Sequence, residues 1–328
     1  MENKYSCNYV KGGKQKTVYT DSEVSYVYCP LCQENDFNEI YKERNVLGIV
    51  KCLHCGLIYV NPRLKDSEKI YWGNAEDYFN EARLIFEGKA THHRDPNYIA
   101  DLEIIRKYKP SGNFLDVGTN MGFFLRTAKD GQWNIYGVEP SSSLSEIARK
   151  HFGLNVKTAF LENADFDDSF FDIVTMTDVF EHVAEPKKLL DEVHRILKKD
   201  GILFIKVPNG LFNLFKLCSA RICGKLSNYD IFDSYEHLVH FSQNTLNAML
   251  ERSGFKAVRF FISKPIQLPS WHKYVGQYFQ YPTPWPLDFK HRLLRNLFYI
   301  LSLAEFWIRF REIGYLAPNI TVVAKKKI

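Results

Sequence analysis

Between residues 95 and 262 the apolar positions of the chain fall into two alternating rhythms. Short solid runs, the kind that fill strands buried on both faces of a parallel sheet, are separated by helical stretches. In the latter, apolar residues recur every three or four positions. The first run holds Phe114, Leu115 and Val117 and passes into a turn through Gly118 and Gly122. The second, at 136–138, stops at Glu139. Another occupies 170–177, and helical spacing over 189–199 follows it, leaving through Lys198, Lys199, Asp200 and Gly201. Residues 202–207 run apolar into Pro208 and Asn209. Residues 236–242 precede a helix that ends at the Ser253-Gly254-Phe255 turn into a further strand, and a last strand is expected at 320–323. Strands alternating with helices predict an α/β fold around a mostly parallel sheet.

Ligands of such folds bind at the carboxyl ends of the strands, so the first turn is where chemistry becomes legible. Asp116 stands just ahead of that turn, where its charge opposes a phosphate. It suits a cation, such as the amino group of a methionine moiety, met directly or through a water. Dinucleotide fingerprints carry three closely spaced glycines so that backbone amides can approach a pyrophosphate. Here Asn120 lies between Gly118 and Gly122. Asparagine is the best-tolerated non-glycine in left-handed backbone, so the turn is expected to survive. Glu139 ends the second run where a carboxylate can reach a ribose hydroxyl pair. These residues resemble the class I S-adenosylmethionine-dependent methyltransferase signature, an acid-x-Gly-x-Gly-x-Gly turn followed by an acid after the second strand. The one departure is Asn120 at the central glycine. The resemblance implies a Rossmann-like seven-stranded sheet, with Asp116, Gly118, Asn120, Gly122 and Glu139 forming the cofactor site. In that family the loop after the third strand, here 158–166, usually holds the adenine.

Ahead of this core lie Cys29-Pro30-Leu31-Cys32 and Cys52-Leu53-His54-Cys55, two Cys-x-x-Cys pairs separated by nineteen residues. The spacing matches a zinc ribbon, in which each pair closes a tight knuckle and four thiolates make a tetrahedral site. Four thiolates leave no open position, so Cys29, Cys32, Cys52 and Cys55 read as ligands of a structural zinc, with redox or catalytic roles the lesser alternatives. Gly56 suits the turn after the second knuckle. His54 reads as a bystander, and Cys7, Cys218 and Cys223 as free thiols. The ribbon and the segment 57–63 resemble the N-terminal module of methyltransferases encoded with glycan and natural-product pathways, including sugar C-methyltransferases. The resemblance stops before the long C-terminal domain of those sugar enzymes, which weakens the case for a carbon acceptor.

Methyl transfer from a sulfonium is an in-line displacement, for which alignment and desolvation are the main needs. A hydroxyl acceptor also needs its proton removed, and histidine suits that task. His182, after the fourth strand of the resembling fold, is the expected base, and His237 a second candidate. In the resembling families the Glu-His-Val segment at 181–183 is frequent, with its histidine often near the acceptor. A packing or capping role for His182 stays open. Asp178, Glu181 and His182 with His237 or His240 also look like the metal site of the small-RNA 2′-O-methyltransferases. Magnesium or manganese there is the disfavoured alternative. Arg94 is a candidate for the cofactor carboxylate by position, with a solvated arginine the better expectation.

Composition narrows the partners. A formal charge of +5 over 328 residues is mild, and no basic strip interleaved with aromatics marks nucleic acid. Thr177 to Phe180 lacks the Asn-Pro-Pro-Tyr type of motif that grips an exocyclic base amine. Residues 1–16 are polar with no signal-peptide core, and no apolar stretch is long enough to span a bilayer. A cytoplasmic protein is expected, with peripheral contact at the inner membrane face as an alternative. The expected organisation is an N-terminal extension (1–25), zinc ribbon (26–65), helical connector (66–110), methyltransferase core (111–264), aromatic helical insertion (265–315), and final strand with basic tail (316–328). The stretch 210–233, with Phe212 and Phe215, and the insertion, with Trp271, Tyr274, Tyr278, Phe279, Tyr281 and Trp285, are the segments expected to select the acceptor. An apolar helix over 289–311, flanked by Lys290, Arg292, Arg295, Arg309 and Arg311, suits a membrane surface, the core or a second subunit equally. The acceptor is expected to be a sugar, glycan precursor or other small metabolite. An RNA methyltransferase and a non-catalytic scaffold of the same fold are the rival readings.

Overall fold

The computed structural model describes residues 19–65, 82–83, 85–87, 91–92, 94–129, 131–224, 230–263, 274–275 and 285–327. Strands β1 (Phe37–Glu43), β2 (Leu47–Cys52) and β3 (Ile58–Val60) form an antiparallel meander carrying the second knuckle. After α1 (Asp95–Tyr108) come β4 (Ser111–Val117), α2 (Phe123–Ala128), β5 (Gln132–Val138) and α3 (Ser142–Phe152). Next are β6 (Val156–Lys157), β7 (Phe171–Thr177), α4 (Pro186–Ile196), β8 (Leu197–Pro208) and α5 (Gly210–Ile222). The two-residue β9 (Val239–His240), α6 (Gln243–Arg252), β10 (Phe255–Phe261), α7 (Trp285–Ile308) and β11 (Asn319–Lys326) follow, with two-residue pairings at 24–25 with 63–64 and at 91–92 with 274–275 besides.

Among the described residues, seven strands make one sheet in the order β10-β11-β8-β7-β4-β5-β6. From β8 to β6 every pairing is parallel, whereas β11 runs antiparallel to both its neighbours. This is the α/β sheet expected from the apolar runs. The order reverses between β4 and β7, which opens a crevice at their carboxyl ends.

Strand alternation assigns each face. Phe114, Ile173, Ile202 and Phe204 turn toward Leu102 and Ile105 of α1 and Phe124 of α2. Leu115, Val174, Met176, Leu203 and Ile205 turn toward α4, α6 and the cysteine module, whose Cys29, Leu31, Leu57 and Tyr59 share that core. On the α1 face Lys206 Nζ donates to Asp101 Oδ2 at 2.7 Å, both side chains being buried. A buried cation there is paired rather than solvated.

Some boundaries move. The helix expected over 189–199 begins at Pro186, whose fixed φ and missing N–H suit a first turn, and stops at Ile196. Leu197 then already pairs with Phe171, and β8 bulges at its polar residues before Ile202 takes up pairing with Ile173. The long helix runs from Trp285 to Ile308, and Phe310 and Arg311, both at positive φ, end it ahead of the 311 boundary. No helix among the described residues is long and apolar enough to cross a membrane. Cys7, Trp271, Tyr278, Phe279 and Tyr281, and the side chains of Tyr274, Trp285, Lys290, Arg292 and Arg295, lie outside the described residues.

The cysteine module and the core share backbone. Strand β9, between α5 and α6 in sequence, pairs antiparallel with β3 and extends the small sheet to the order β9-β3-β2-β1.

Candidate active site

The turn after β4 takes the left-handed conformation three times, at Gly118 (φ 70°), Asn120 (φ 53°) and Gly122 (φ 86°). Asn120 fills its place as a tolerated non-glycine, and its Oδ1 accepts the Met121 amide at 2.6 Å. The two glycines are required for different reasons. A Cβ at Gly118 would lie 2.5 Å from Val179 Cγ2, where the first and fourth core strands hand over to their loops. A Cβ at Gly122 would lie 2.5 Å from Leu154 and 3.1 Å from Ala148 Cβ, separating α2 from α3.

Two acids sit behind this turn. Asp116 is buried, and Thr175, its register partner on β7, donates Oγ1–H to Asp116 Oδ1 at 2.8 Å. Burial pushes the Asp116 carboxyl up to about 7, against the hydrogen bonds of Thr175 and Thr119 and with added repulsion from Glu139. Glu139 is fully buried; Oε2 accepts the Asn120 amide at 2.8 Å and Oε1 the Ser141 amide at 2.9 Å. Its carboxyl is raised by burial, and those two amides oppose the shift. The carboxylate thus braces the glycine turn from below, while its second lone pairs remain chemically able to accept ribose hydroxyls.

A cavity of about 490 Å³ opens over the switch point. Gly118, Glu139 and His182, three of the residues singled out from sequence, line it, together with Phe160 and Leu161 from the 158–166 loop. Asp116, Asn120 and Gly122 are not among its lining residues. The volume lies within the range of a single small-molecule ligand.

On the opposite lip a short 3-10 turn, Phe180–His182, carries the candidate chemistry. His182 Nδ1 lies 3.0 Å from the Glu236 carbonyl, which can only accept, so Nδ1 carries a hydrogen, and Nε2 lies 3.9 Å from Glu181 Oε1. His237 packs edge-on against His182, with ring centroids 4.7 Å apart. Glu181 is buried with neither carboxylate oxygen hydrogen-bonded, and burial, then Asp178, raises its carboxyl well above the ordinary range. Ligand atoms of Glu181, His182 and His237 all lie within 4.8 Å of one another.

The larger ligand set read from sequence does not assemble. Asp178 (φ 54°) instead forms an ion pair with Arg94. Burial works to raise its carboxyl, but Arg94 and then Lys206 hold it below the ordinary value. Arg94 is therefore paired rather than solvated, contrary to expectation. His240 is buried with its ring 6.5 Å from that of His237 but supplies no atom to the cluster, and burial pulls its imidazole down to about 3. Sequence reading also missed Arg63 and Lys188, which line the cavity, and the Glu236 carbonyl that holds the His182 ring.

Cys29, Cys32, Cys52 and Cys55 converge, all four sulfurs within 4.8 Å and two pairs, Cys29–Cys55 and Cys32–Cys52, at 3.4 Å. Four sulfurs about 2.3 Å from one zinc ion stand roughly 3.8 Å apart, so the donor set fits a tetrahedral ion. Gly56, at φ 75°, donates its amide to the Cys52 carbonyl at 3.1 Å and closes the second knuckle. His54 turns away to Asp36 at 3.1 Å.

Comparison with known proteins gives the same class. The family described as Methyltransferase domain matches residues 91–259. An uncharacterized protein of Methanocaldococcus jannaschii is 32% identical over 49% of this chain and 73% of its own length. A ubiquinone/menaquinone biosynthesis C-methyltransferase of Citrifermentans bemidjiense is 27% identical, covering 46% of this chain and 73% of the relative. A ubiquinone biosynthesis O-methyltransferase of Coxiella burnetii is also 27% identical, covering 52% and 74%. Among solved structures, a chain of the complex between the Haloferax volcanii Trm112 methyltransferase activator and a methyltransferase shares the fold. Its TM-score is 0.51 at 15% identity, over 79% of this chain and 98% of that one. With a glycine turn, a paired acid and a switch-point cavity in the sheet that this family uses, the chain belongs to the methyltransferase domain family and is a class I S-adenosylmethionine-dependent methyltransferase.

Proposed function

We propose that the chain O-methylates a hydroxyl of a sugar, glycan precursor or other small metabolite, with His182 as the general base. The observation that carries the reading is the placement of His182: an imidazole at the cavity wall, held by its Nδ1 hydrogen bond to the Glu236 carbonyl at 3.0 Å. S-adenosylmethionine, when bound, supplies an electrophilic methyl group on a sulfonium. Gly118 and Glu139 would hold it at the turn, Phe160 and Leu161 would pack its adenine, and Asp116 would supply a buried counter-charge from behind. His237, edge-on to His182, would keep that ring from rotating. The cysteine cluster would hold a structural zinc ion, and its likeness to the ribbons of glycan-pathway methyltransferases supports a sugar-like acceptor. Two of the relatives are named for ubiquinone or menaquinone biosynthesis, so phenolic hydroxyls belong in the same test.

The test is methyl transfer from labelled donor to a panel of sugars, activated sugars and phenols, with the new methyl located by NMR. An O-methyl product formed by wild type and lost in His182→Ala supports the reading. A C-methyl or N-methyl product would contradict it.

One observation favours a second reading. Glu181, a buried carboxylate without a hydrogen bond, lies beside His182 and His237, a donor set able to hold magnesium, manganese or a softer divalent ion. His182 would then be a ligand instead of a base. Full turnover in magnesium- and manganese-free buffer, with the cysteine-bound zinc retained, would remove it.

The exposed apolar row Leu293, Leu297, Ile300, Trp307 and Ile308 on α7 supports contact with a lipid surface or a second subunit. Co-sedimentation with anionic vesicles, set against the mass in solution, separates these two.

A further inference from the structure

The donor cavity has a neighbour on the side of the first turn of α4. A second cavity, of about 460 Å³, shares Arg63, Ala184, Glu185 and Lys188 with it. One wall is the segment leading into the first cysteine knuckle. Along it burial alternates: Tyr26 is 76% and Tyr28 63% exposed, while Val27 packs on the core and Cys29 is buried. The Val27 amide donates to Asn61 Oδ1 at 2.9 Å, which anchors the segment between the two rings. Both tyrosines line the second cavity. The other wall is the first turns of α4, with Lys187, Lys188 and Asp191. Arg63 spans the junction, its Nη1 donating to the Ala184 carbonyl at 3.2 Å.

We propose that this second cavity is a distal acceptor subsite and that its occupant is a saccharide ring linked to the one being methylated. The inference rests on the methyltransferase reading above and adds the class and length of the acceptor. A donor cavity sized for one small molecule leaves the acceptor needing further volume, and this cavity adjoins it through four shared lining residues. The lining chemistry selects among occupants. Arg63, Lys187 and Lys188 are offset by Glu185 and Asp191, and Lys187 donates to Asp191 at 2.6 Å. A polyanion finds no strong field in such a mixture, and an aliphatic chain meets charged side chains on one wall. A pyranose fits both walls: its C–H face packs on an aromatic ring, and its vicinal hydroxyls pair with planar charged and amide groups, including Gln33. Tyrosine adds a hydroxyl at the ring edge for the same ligand.

The test is calorimetric titration of the full zinc-loaded chain, saturated with S-adenosylhomocysteine, against mono- and disaccharides and nucleoside diphosphate hexoses. Wild type, Tyr26→Ala, Tyr28→Ala and Tyr28→Phe are compared, each with its thermal midpoint. The expected result is saccharide binding that weakens about three- to tenfold in each alanine variant. Tyr28→Phe should retain most of the affinity, and binding of S-adenosylhomocysteine should be unchanged throughout. Saccharide binding indifferent to both alanine variants overturns the subsite, as does no saccharide bound by a chain that binds S-adenosylhomocysteine. A wild-type chain that fails to bind S-adenosylhomocysteine defeats the donor-site reading, and the subsite with it.

Discussion

The amide of Leu238 donates to the carbonyl of Glu181 at 2.8 Å, while the Leu238 carbonyl accepts the amide of Val60 at 3.0 Å. One residue thus ties the loop bearing His182 to the strand that follows the second cysteine knuckle. Val239 and His240 continue the tie by pairing with Tyr59 and Ile58. His237 precedes this clamp directly, so the module that gathers the four cysteines also fixes the histidine pair.

Disturbing the cysteine cluster should therefore impair turnover more than donor binding. Cys52→Ser, or removal of any metal held by the four cysteines, is expected to lower kcat while the affinity for S-adenosylhomocysteine stays within about twofold, since Gly118 and Glu139 follow strands of the other sheet. Elemental analysis for zinc beside both kinetic constants checks this. A metal-free, folded protein with unchanged kcat would count against the coupling.

His182→Ala should lower kcat by about 10²–10⁴, the usual worth of a positioned base, with little change in donor affinity. Steady-state kinetics on the identified acceptor is the readout. A loss below about threefold would assign proton removal elsewhere.

The Asp116 carboxyl, pushed up to about 7 chiefly by burial, sets two opposite pH dependences. An unfolded aspartate titrates near about 3.9, so the folded chain binds this proton more tightly. Its contribution to stability is complete below about pH 4 and is lost as pH rises through about 7. A cationic amine prefers the ionised acid, so affinity for S-adenosylhomocysteine should rise over the same interval. Asp116→Asn should flatten both profiles, measured by melting and by calorimetry at several pH values. A wild-type affinity that falls as pH rises through neutrality would contradict the assignment.

Lys206→Met should destabilise the fold by about 3–5 kcal/mol, because it strands the buried Asp101 carboxylate without its cation. Replacing both partners, as Lys206→Met with Asp101→Leu, should restore most of the loss. Urea unfolding of the three proteins distinguishes this from simple loss of packing.

The features legible in the sequence are those fixed by local pattern. Solid apolar runs announced β4, β7 and β8, and the positive-φ demand of the turn was readable from Gly118, Asn120 and Gly122. The four cysteines converge as their spacing required. What local pattern could not carry were relationships made by the tertiary fold. Two residues, Val239 and His240, give no strand signal by themselves and pair because β3 offers an edge. Arg94 meets Asp178 across eighty-four positions of sequence. The Glu236 carbonyl, which holds the His182 ring, is backbone and leaves no trace in side-chain identity. Glu139 was read as a ribose acceptor alone, whereas its two amide contacts also make it the brace of the turn.

The most direct measurement is calorimetric titration of the purified, zinc-loaded chain with S-adenosylmethionine and S-adenosylhomocysteine, beside Asp116→Ala and Glu139→Ala. The account expects saturable one-to-one binding by wild type, weakened at least about tenfold in each variant, equivalent to about 1.4 kcal/mol. A well-folded wild type that binds neither ligand, or variants that bind as tightly as wild type, would contradict the donor site described at the β4 turn.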